Sequence, residues 1–359
     1  MVLRAQGFEP ALAAAALTQS DLRRRAALKF GPSAAAMFFT RPGLEQATRA
    51  GVAERRAARL RAAGATKLAD LGCGLGAAAR AAARHGMSVY AVESDPLTAA
   101  IAAANVEAAG LTDLITVECA DATTVTVSGF DAVFADPARR RAGRGRMLNP
   151  RSWSPPWDFI AGLPGQVPRT VLKLAPGIDH ALLPPGAEGE WVSVDGDLVE
   201  AAFWCGPLAA APRRATLLSA GGVAQLTGTG VERAPVGPVG AYLYDPDPAV
   251  VRSHLVAEFA ATVGGRLADP DIAYVHSDSF QKSPFGRLLT VTDVLPFSLK
   301  RLRALLRERG VGRLEIRKRG SALEPDRLRK DLRLSGPNAA SLVLTKVAGS
   351  PTVLLCAPQ

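Results

Sequence analysis

Short apolar runs alternate with helical stretches between residues 66 and 175 of the chain. Each run is five or six residues long, and most are followed by a turn and then by apolar positions at helical spacing. Strands that are separated by helices form parallel βαβ units, so this region predicts a doubly wound α/β sheet. The predicted strands are residues 67–71, 88–92, 114–118, 130–135 and 170–174.

The sequence on either side of this region has a different pattern. Residues 11–62 have helical spacing almost throughout, with many arginines, which predicts a basic N-terminal helical cap. Residues 198–204 and 214–219 are apolar runs that predict a hairpin of late strands. Residues 232–248 are rich in Pro and Gly, which predicts a linker ahead of a helix over 248–263.

The C-terminal part alternates compactly between strand and helix patterns. Predicted strands at 288–294, 313–318, 340–346 and 352–356 surround predicted helices at 298–309 and 326–334. A unit of this size buries one sheet face under two helices, as in small α+β domains. The predicted domains are therefore a helical region (1–62), a doubly wound domain (63–232), a linker and helix (233–283) and a small α+β domain (284–359).

A glycine-rich turn joins the first predicted strand to the first helix of the doubly wound domain. It contains Gly72, Gly74 and Gly76, and Asp70 stands at its head. Glycines allow positive φ and let a ligand approach the backbone closely. Such loops serve both nicotinamide enzymes and methyltransferases. The acid at the head and the missing two-residue gap of Gly-x-Gly-x-x-Gly favour the methyltransferase type.

Two further acids follow the next two strands. Glu93 ends the second strand, where an ionised carboxylate accepts hydrogen bonds from both hydroxyls of a ribose. Asp121 follows the third strand, where a carboxylate can reach an adenine amino group, although an isolated aspartate is more often a loop cap. Both acids lie in register with Asp70.

These residues resemble the class I S-adenosylmethionine-dependent methyltransferases over residues 66–175. The resemblance implies a seven-stranded Rossmann-like sheet and S-adenosyl-L-methionine as cofactor. The C-terminal segment 312–320 resembles the THUMP-like, ferredoxin-like domain attached to such enzymes, and it implies an RNA partner such as tRNA or rRNA. The implied cofactor-binding residues are Asp70, Gly72, Gly74, Gly76, Glu93, Asp121 and Asp136.

Asp136 ends the fourth strand, so it is expected beside the donor methyl group. Amino-group methyltransferases carry Asn/Asp-Pro-Pro followed by an aromatic residue. Asp136-Pro137 fits this pattern, whereas Ala138 and Arg139 replace the second proline and the aromatic. An arginine plane can also stack on a base. Pyrimidine C5 methylation needs a cysteine nucleophile after the fifth strand, and residues 171–177 contain none.

Ribose 2′-O methyltransferases use a Lys-Asp-Lys-Glu set, in which one lysine takes the hydroxyl proton. Asp136, Lys173 and Glu200 occur in a matching order, and the first lysine is either Lys29 or Lys67. Lys173 in its apolar strand also suits a plain ion pair with Asp136. We expect methylation of a base amino nitrogen ahead of a ribose oxygen.

The charge of the chain favours a polyanionic partner. Its formal net charge is +10 and its pI about 9.9. Residues 300–333 hold thirteen Lys or Arg against five Asp or Glu, which suits salt-dependent phosphate contacts, although solvated helix faces show the same pattern. The candidate RNA-binding residues are Arg139, Arg140, Arg141, Arg301, Arg317, Lys318 and Arg319.

The remaining composition narrows the class of protein. Four scattered cysteines and four scattered histidines show no zinc spacing, so we expect no metal site. The same scatter suits a protein of the reducing cytoplasm. No apolar stretch approaches the length of a membrane span. Three other readings remain open at this point: a methyltransferase of a protein or small molecule, a non-catalytic RNA-binding protein with this fold, and a nicotinamide dehydrogenase.

Overall fold

A computed structural model describes residues 8–138, 140–141, 144–146 and 153–357, without the side chains of 140–141 and 144–146. The chain forms two units. The first comprises Met1–Gly189 and Glu200–Ala210, and the second Glu190–Val199 and Ala211–Gln359. Strands β8 (Glu188–Val194) and β9 (Asp197–Trp204) contribute residues to both.

The first unit begins with helices and continues as alternating strands and helices, as the pattern predicts. Its helices are α1 (Pro10–Phe30), α2 (Arg41–Gln46), α3 (Ala50–Ala62), α4 (Ala77–Arg84), α5 (Pro96–Ala108) and α6 (Trp157–Gln166). Its strands are β1 (Lys67–Leu71), β2 (Ser88–Glu93), β3 (Ile115–Cys119), β4 (Ala132–Ala135), β5 (Arg140–Arg141), β6 (Arg144–Arg146) and β7 (Thr170–Leu174).

The main sheet of this unit has the strand order β9–β7–β4–β1–β2–β3. Neighbours from β7 to β3 are parallel, and β9 pairs antiparallel with β7 through residues 201–204. Helices cover a core that contains Leu68, Ala91, Phe134, Val171 and Trp204. The doubly wound α/β prediction is confirmed. Since the parallel strands share a direction, their carboxyl ends meet at one edge, where ligands bind in such sheets.

The N-terminal region packs on the glycine-rich turn. Leu22, Phe30, Phe39 and Leu44 form one buried cluster with Leu75, which lies inside the turn. The first helix ends at Phe30 and is followed by a 3₁₀ turn at Gly31–Ala36, because Gly31 has φ +56° and Pro32 follows it. Helix α2 then starts at the Thr40 cap, whose hydroxyl accepts from the Gly43 amide. This region therefore forms part of the first unit.

The second unit contains two sets of strands. The late strands have the order β11–β10–β8–β9, in which β10 (Arg213–Ser219) and β11 (Gly222–Gly228) form an antiparallel hairpin. The predicted hairpin between 198–204 and 214–219 is therefore wrong. The chain turns at Gly222 (φ +113°) instead, and the polar, Gly-flanked residues of β11 concealed a strand.

The larger sheet of the second unit has the order β13–β14–β12–β15–β18–β17–β16. Residues 242–277, expected as linker and helix, contribute three of its strands. Leu302, Leu306, Leu328 and Leu332 of the two C-terminal helices pack on Leu342 and its neighbours. Its elements are β12 (Tyr242–Pro246), α7 (Pro248–Arg252), α8 (Val256–Thr262), β13 (Arg266–Leu267), β14 (Val275–Ser277), β15 (Gly286–Pro296), α9 (Leu299–Glu308), β16 (Val311–Lys318), α10 (Pro325–Leu332), β17 (Asn338–Val347) and β18 (Ser350–Cys356).

Candidate active site

The three glycines of the turn after β1 all have positive φ, and two of them serve different purposes. Gly72 has φ +92°, and a Cβ there would lie 2.8 Å from the carbonyl oxygen of Asp136. Gly74 has φ +56°, and a Cβ there would meet no protein atom within 4 Å. Gly72 thus lets the turn pack against the end of β4, whereas Gly74 faces open space that a ligand can fill.

Asp70 lies at the head of this turn with its carboxylate fully buried. Neither carboxylate oxygen has a hydrogen-bond partner among the described residues. Burial, together with the negative charge of Asp136, raises the pKa of Asp70 to about 7. A buried carboxylate without partners is costly, and a nearby cationic or hydrogen-bonding ligand group would offset that cost.

Glu93 lies directly beside the turn, as the sequence predicts. Its Oε2 accepts from the Gly74 amide at 3.1 Å, and its Oε1 accepts from the Asp95 amide at 3.0 Å. A carboxylate has about four acceptor positions, so further positions stay available for ribose hydroxyls.

Asp121 follows β3 at the same sheet edge, and the Ala120 amide donates to the Glu93 carbonyl oxygen. Its exposed carboxylate accepts from the Thr123 amide at 2.8 Å and from the Thr123 hydroxyl. These two hydrogen bonds lower the pKa of Asp121. In this structure the residue is a loop cap, and its adenine contact stays a prediction.

Asp136 and Lys173 meet at the carboxyl ends of β4 and β7. Lys173 Nζ lies 2.5 Å from Asp136 Oδ2 and donates to the Gln46 carbonyl oxygen at 3.3 Å. The Asp136 amide donates to the Leu71 carbonyl, which fixes the residue beside the glycine-rich turn. Asp136 is about one-third exposed, so a substrate can reach it.

The two candidates for the first lysine lie in different places. Lys29 Nζ donates to the carbonyls of Leu44, Glu45 and Ala47 at 2.7, 2.8 and 3.1 Å. Burial, and then the positive charge of Lys173, lowers the pKa of Lys29 to about 8. Lys67 starts β1, at the end of the strand opposite the turn, and lies over the Phe130 ring. Of the two candidates, Lys29 is therefore the lysine that feels the charge of Lys173.

Glu200 is held by a residue that the sequence did not single out. Its buried carboxylate forms an ion pair with Arg56 of α3, and the Arg56 guanidinium lies 4.4 Å from the centre of the Phe134 ring. Arg59 binds Glu188 through two hydrogen bonds in the same way. These two arginines of the basic N-terminal region are thus internal. Their i, i+3 spacing on one helix face was the available signal.

Asn105 of α5 is a second residue that sequence reasoning missed. Its side chain is fully buried, accepts from the Phe38 amide at 2.7 Å, and donates to the carbonyls of Phe38 and Leu75. It joins the N-terminal region to the glycine-rich turn. An asparagine within an Ala-rich helix gives no indication of partners far away in the sequence.

The candidate RNA-binding residues fall into three groups. Arg139 lies outside the described residues, and Arg140 and Arg141 form β5, a short strand that follows Asp136. Arg317 and Arg319 both bind Asp245, and Lys318 binds Glu324. Arg301 is exposed on α9. Ion pairs with acidic residues of the chain therefore engage three of the residues that we expected to contact phosphates, and the Lys318–Glu324 pair among them lies on the surface.

The described residues contain no group of three His, Cys, Asp or Glu side chains that could hold a metal ion. No helix in that part of the chain is both long and apolar enough to cross a bilayer.

The site fits a nucleoside sulfonium cofactor. Gly74 leaves room against the backbone, Glu93 keeps free acceptor positions beside it, and Asp70 contributes a buried carboxylate without partners. S-adenosylmethionine supplies an electrophilic methyl group on a positively charged sulfur. The chain would hold the donor along the turn with Gly72, Gly74 and Glu93, and Asp136 would face the acceptor.

A doubly wound sheet with this turn and these acids defines a class I methyltransferase. Residues 68–140 match the family model described as a methyltransferase domain, and residues 286–358 match one described as THUMP domain-like. The latter match includes β15 to β18 of the second unit.

Two Mycobacterium tuberculosis proteins, from strains CDC 1551 and H37Rv, are each 36% identical to this chain over 360 residues. The similarity covers 94% of this chain and 95% of theirs, and both are named uncharacterized S-adenosylmethionine-dependent methyltransferases. The chain therefore belongs to the S-adenosylmethionine-dependent methyltransferases, with S-adenosyl-L-methionine as cofactor.

The fold has a counterpart among solved structures. A Porphyromonas gingivalis W83 protein that has been proposed to be a methyltransferase superposes with a TM-score of 0.79. It is 22% identical, and the match covers 98% of this chain and 91% of that chain.

Proposed function

We propose that this enzyme methylates structured RNA, such as tRNA or rRNA, at an exocyclic amino nitrogen of a base. The observation that carries the choice of atom is Asp136, a partly exposed acceptor beside the glycine-rich turn and paired with Lys173. An ionised carboxylate accepts a hydrogen bond from an amino group, which orients the nitrogen lone pair toward the donor.

The ribose alternative needs Lys173 to work with Glu200 and a further lysine. Glu200 instead binds Arg56 inside the first unit, and Lys29 donates to three backbone carbonyls. These contacts favour the base amino group, with the ribose 2′-hydroxyl as the second candidate.

The support for RNA comes from the second unit. Its THUMP domain-like segment resembles a class associated with RNA, and its helices expose basic side chains that suit phosphates. The four cysteines are free, which suits our expectation of a reducing cytoplasm. The exposed basic residues on or next to α9 and α10 are Lys300, Arg301, Arg307, Arg309, Arg327, Arg329, Lys330 and Arg333.

The test is an incubation of the purified enzyme with methyl-labelled S-adenosylmethionine and total RNA from cells that lack this gene. We expect label in one methylated base after digestion to nucleosides and mass spectrometry. Asp136→Ala, which removes the acceptor, should abolish the label, and Asp113→Ala, on the exposed surface, should leave it unchanged. Label on ribose would move the assignment to the hydroxyl, and label only in a protein or small-molecule fraction would contradict the RNA proposal.

A further inference from the structure

The residues just after Asp136 pair with a segment farther along the chain. Ala138 and Ser154 form an isolated antiparallel bridge. The Ala138 amide donates to the Ser154 carbonyl at 2.7 Å, and the Ser154 amide donates to the Ala138 carbonyl at 3.1 Å. Residues 153–157 are therefore brought beside Asp136-Pro137-Ala138, although they are distant in sequence.

Two tryptophans lie within residues 153–157. The Trp153 ring is buried, with 4% of its surface exposed, whereas Trp157 is half-buried at the first residue of α6. The rings meet edge to face, with centroids 6.2 Å apart and planes at 87°. Such a contact is favourable and holds the second ring in a fixed orientation. Ile160 and Leu163 are the buried residues of α6 and anchor the helix.

We infer that Trp157 provides the flat wall on which the planar substrate base stacks while its amino group faces Asp136. This inference rests on the proposed function and adds the residue that recognises the ring. The sequence has Arg139 at the position where an aromatic residue is typical, and the bridge at Ala138 brings in a segment that contains two aromatic side chains.

Two physical arguments support this role over simple packing. Trp153 is buried, whereas Trp157 is only half-buried, so part of its large apolar ring meets water three residues after the bridge to Ala138. Aromatic side chains stack on splayed-out bases with little regard to sequence, because every base has a π face. A ring fixed by Trp153 loses little conformational freedom when a base binds.

The test compares Trp157→Phe with Trp157→Leu, since both are apolar and only phenylalanine keeps a ring. The substrate is the same total RNA from cells that lack the gene, and the readouts are kcat, KM and the Kd for S-adenosylmethionine. For Trp157→Leu we expect kcat/KM to fall roughly 10- to 100-fold, mainly through KM, as for the loss of one stacked base. Trp157→Phe should remain within about threefold of the unsubstituted enzyme.

Phe280→Leu, at an exposed aromatic of the second unit, is the control and should change neither KM nor cofactor affinity. Equal activity of the Phe and Leu variants would overturn the inference, as would a loss of S-adenosylmethionine binding in both variants. If the unsubstituted enzyme transfers no methyl group to RNA, the proposed function fails. If RNA is methylated and the Leu variant is fully active, only the role of Trp157 fails.

Discussion

Gly74 and Gly86 have similar backbones and different surroundings. Gly74 has φ +56° and Gly86 has φ +79°, and a Cβ at either position would meet no protein atom within 4 Å. An alanine therefore adds a similar backbone strain of about 1–2 kcal/mol at each position. Only Gly74 lies in the turn that Glu93 contacts.

We expect Gly74→Ala to weaken S-adenosylmethionine binding at least roughly tenfold, or about 1.4 kcal/mol. Its methyl group would occupy the space that the donor needs. Gly86→Ala, the matched control, should lower the melting temperature to a similar extent without changing the Kd measured by calorimetry. Equal cofactor affinity in the two variants would contradict the placement of the donor.

Asp70 gives a pH-dependent prediction. Its pKa is about 7 in the folded chain and near 3.9 when unfolded, so the folded state binds more protons between these values. The free energy of unfolding therefore falls as the pH rises from about 4 to 7, because Asp70 is harder to ionise in the folded chain than in the unfolded one. Above pH 7 this loss of stability is complete. Asp70→Asn removes the penalty.

In thermal melts without cofactor at pH 8, the free energy of unfolding of Asp70→Asn should exceed that of the unsubstituted protein by on the order of a few kcal/mol. The gain should be much smaller at pH 5, where Asp70 is largely protonated in the folded chain. A gain of the same size at both pH values would show that the carboxylate is not buried in charged form.

The sequence predicted the residues of the turn because their chemistry is local. Glycines, a head acid and acids at strand ends form a pattern along the chain, and the structure places Gly72, Gly74, Glu93 and Asp136 at one edge. Arg56 with Glu200 could not be predicted, because their ion pair joins residues 144 positions apart. The i, i+3 spacing of Arg56 and Arg59 places them on one helix face, but it does not indicate which acidic residues they meet.

At the scale of elements, the fold depends on how the N-terminal helices meet the turn. Lys29 binds the last carbonyls of α2, and Lys173 binds the Gln46 carbonyl of the same helix. A helix C-terminus favours such cations. Asn105 then ties the preceding segment to Leu75. These contacts hold α2 beside Asp136.

Asn105→Asp tests this connection with a nearly isosteric change. The carboxylate still accepts from the Phe38 amide, but the two bonds donated to Phe38 and Leu75 carbonyls become repulsions between acceptors. We expect a loss of about 2–4 kcal/mol in the free energy of unfolding, measured by denaturant melts. Asn338→Asp, which loses one exposed bond to the Arg309 carbonyl, should cost under about 1 kcal/mol. Equal losses would contradict the connection.

Strand pairing was the least predictable feature at this scale. The alternation of residues 66–175 specified β1 to β4 and β7 because buried parallel strands are continuous apolar runs. β11 has mostly exposed or half-buried side chains, so its sequence resembles a turn region. The predicted hairpin consequently joined β9 to β10, whereas β10 pairs with β11.

At the scale of the whole molecule, the positive charge is partly neutralised within the second unit. Arg319 donates twice to Asp245, whose side chain is 12% exposed, and Arg317 binds the same carboxylate. Counting charges along the sequence cannot separate such internal arginines from exposed ones. Arg301 on α9 is exposed.

Arg319→Met should therefore affect stability, whereas Arg301→Met should affect RNA binding. Arg319→Met leaves Asp245 with one partner and should lower stability by about 1–3 kcal/mol. Arg301→Met should leave stability within about 0.5 kcal/mol. With bulk tRNA as the probe, Arg301→Met should reduce the slope of log affinity against log salt by about 1. An unchanged slope would remove Arg301 from the RNA contacts.

The central claim is that the methyl donor lies on the turn with its ribose held by Glu93. Calorimetric titration of S-adenosylmethionine into the unsubstituted protein and into Glu93→Ala tests it most directly. We predict one site per chain, with a Kd at least about tenfold weaker in the variant. Identical affinity in the two proteins would contradict the account, because the donor would then be bound without Glu93.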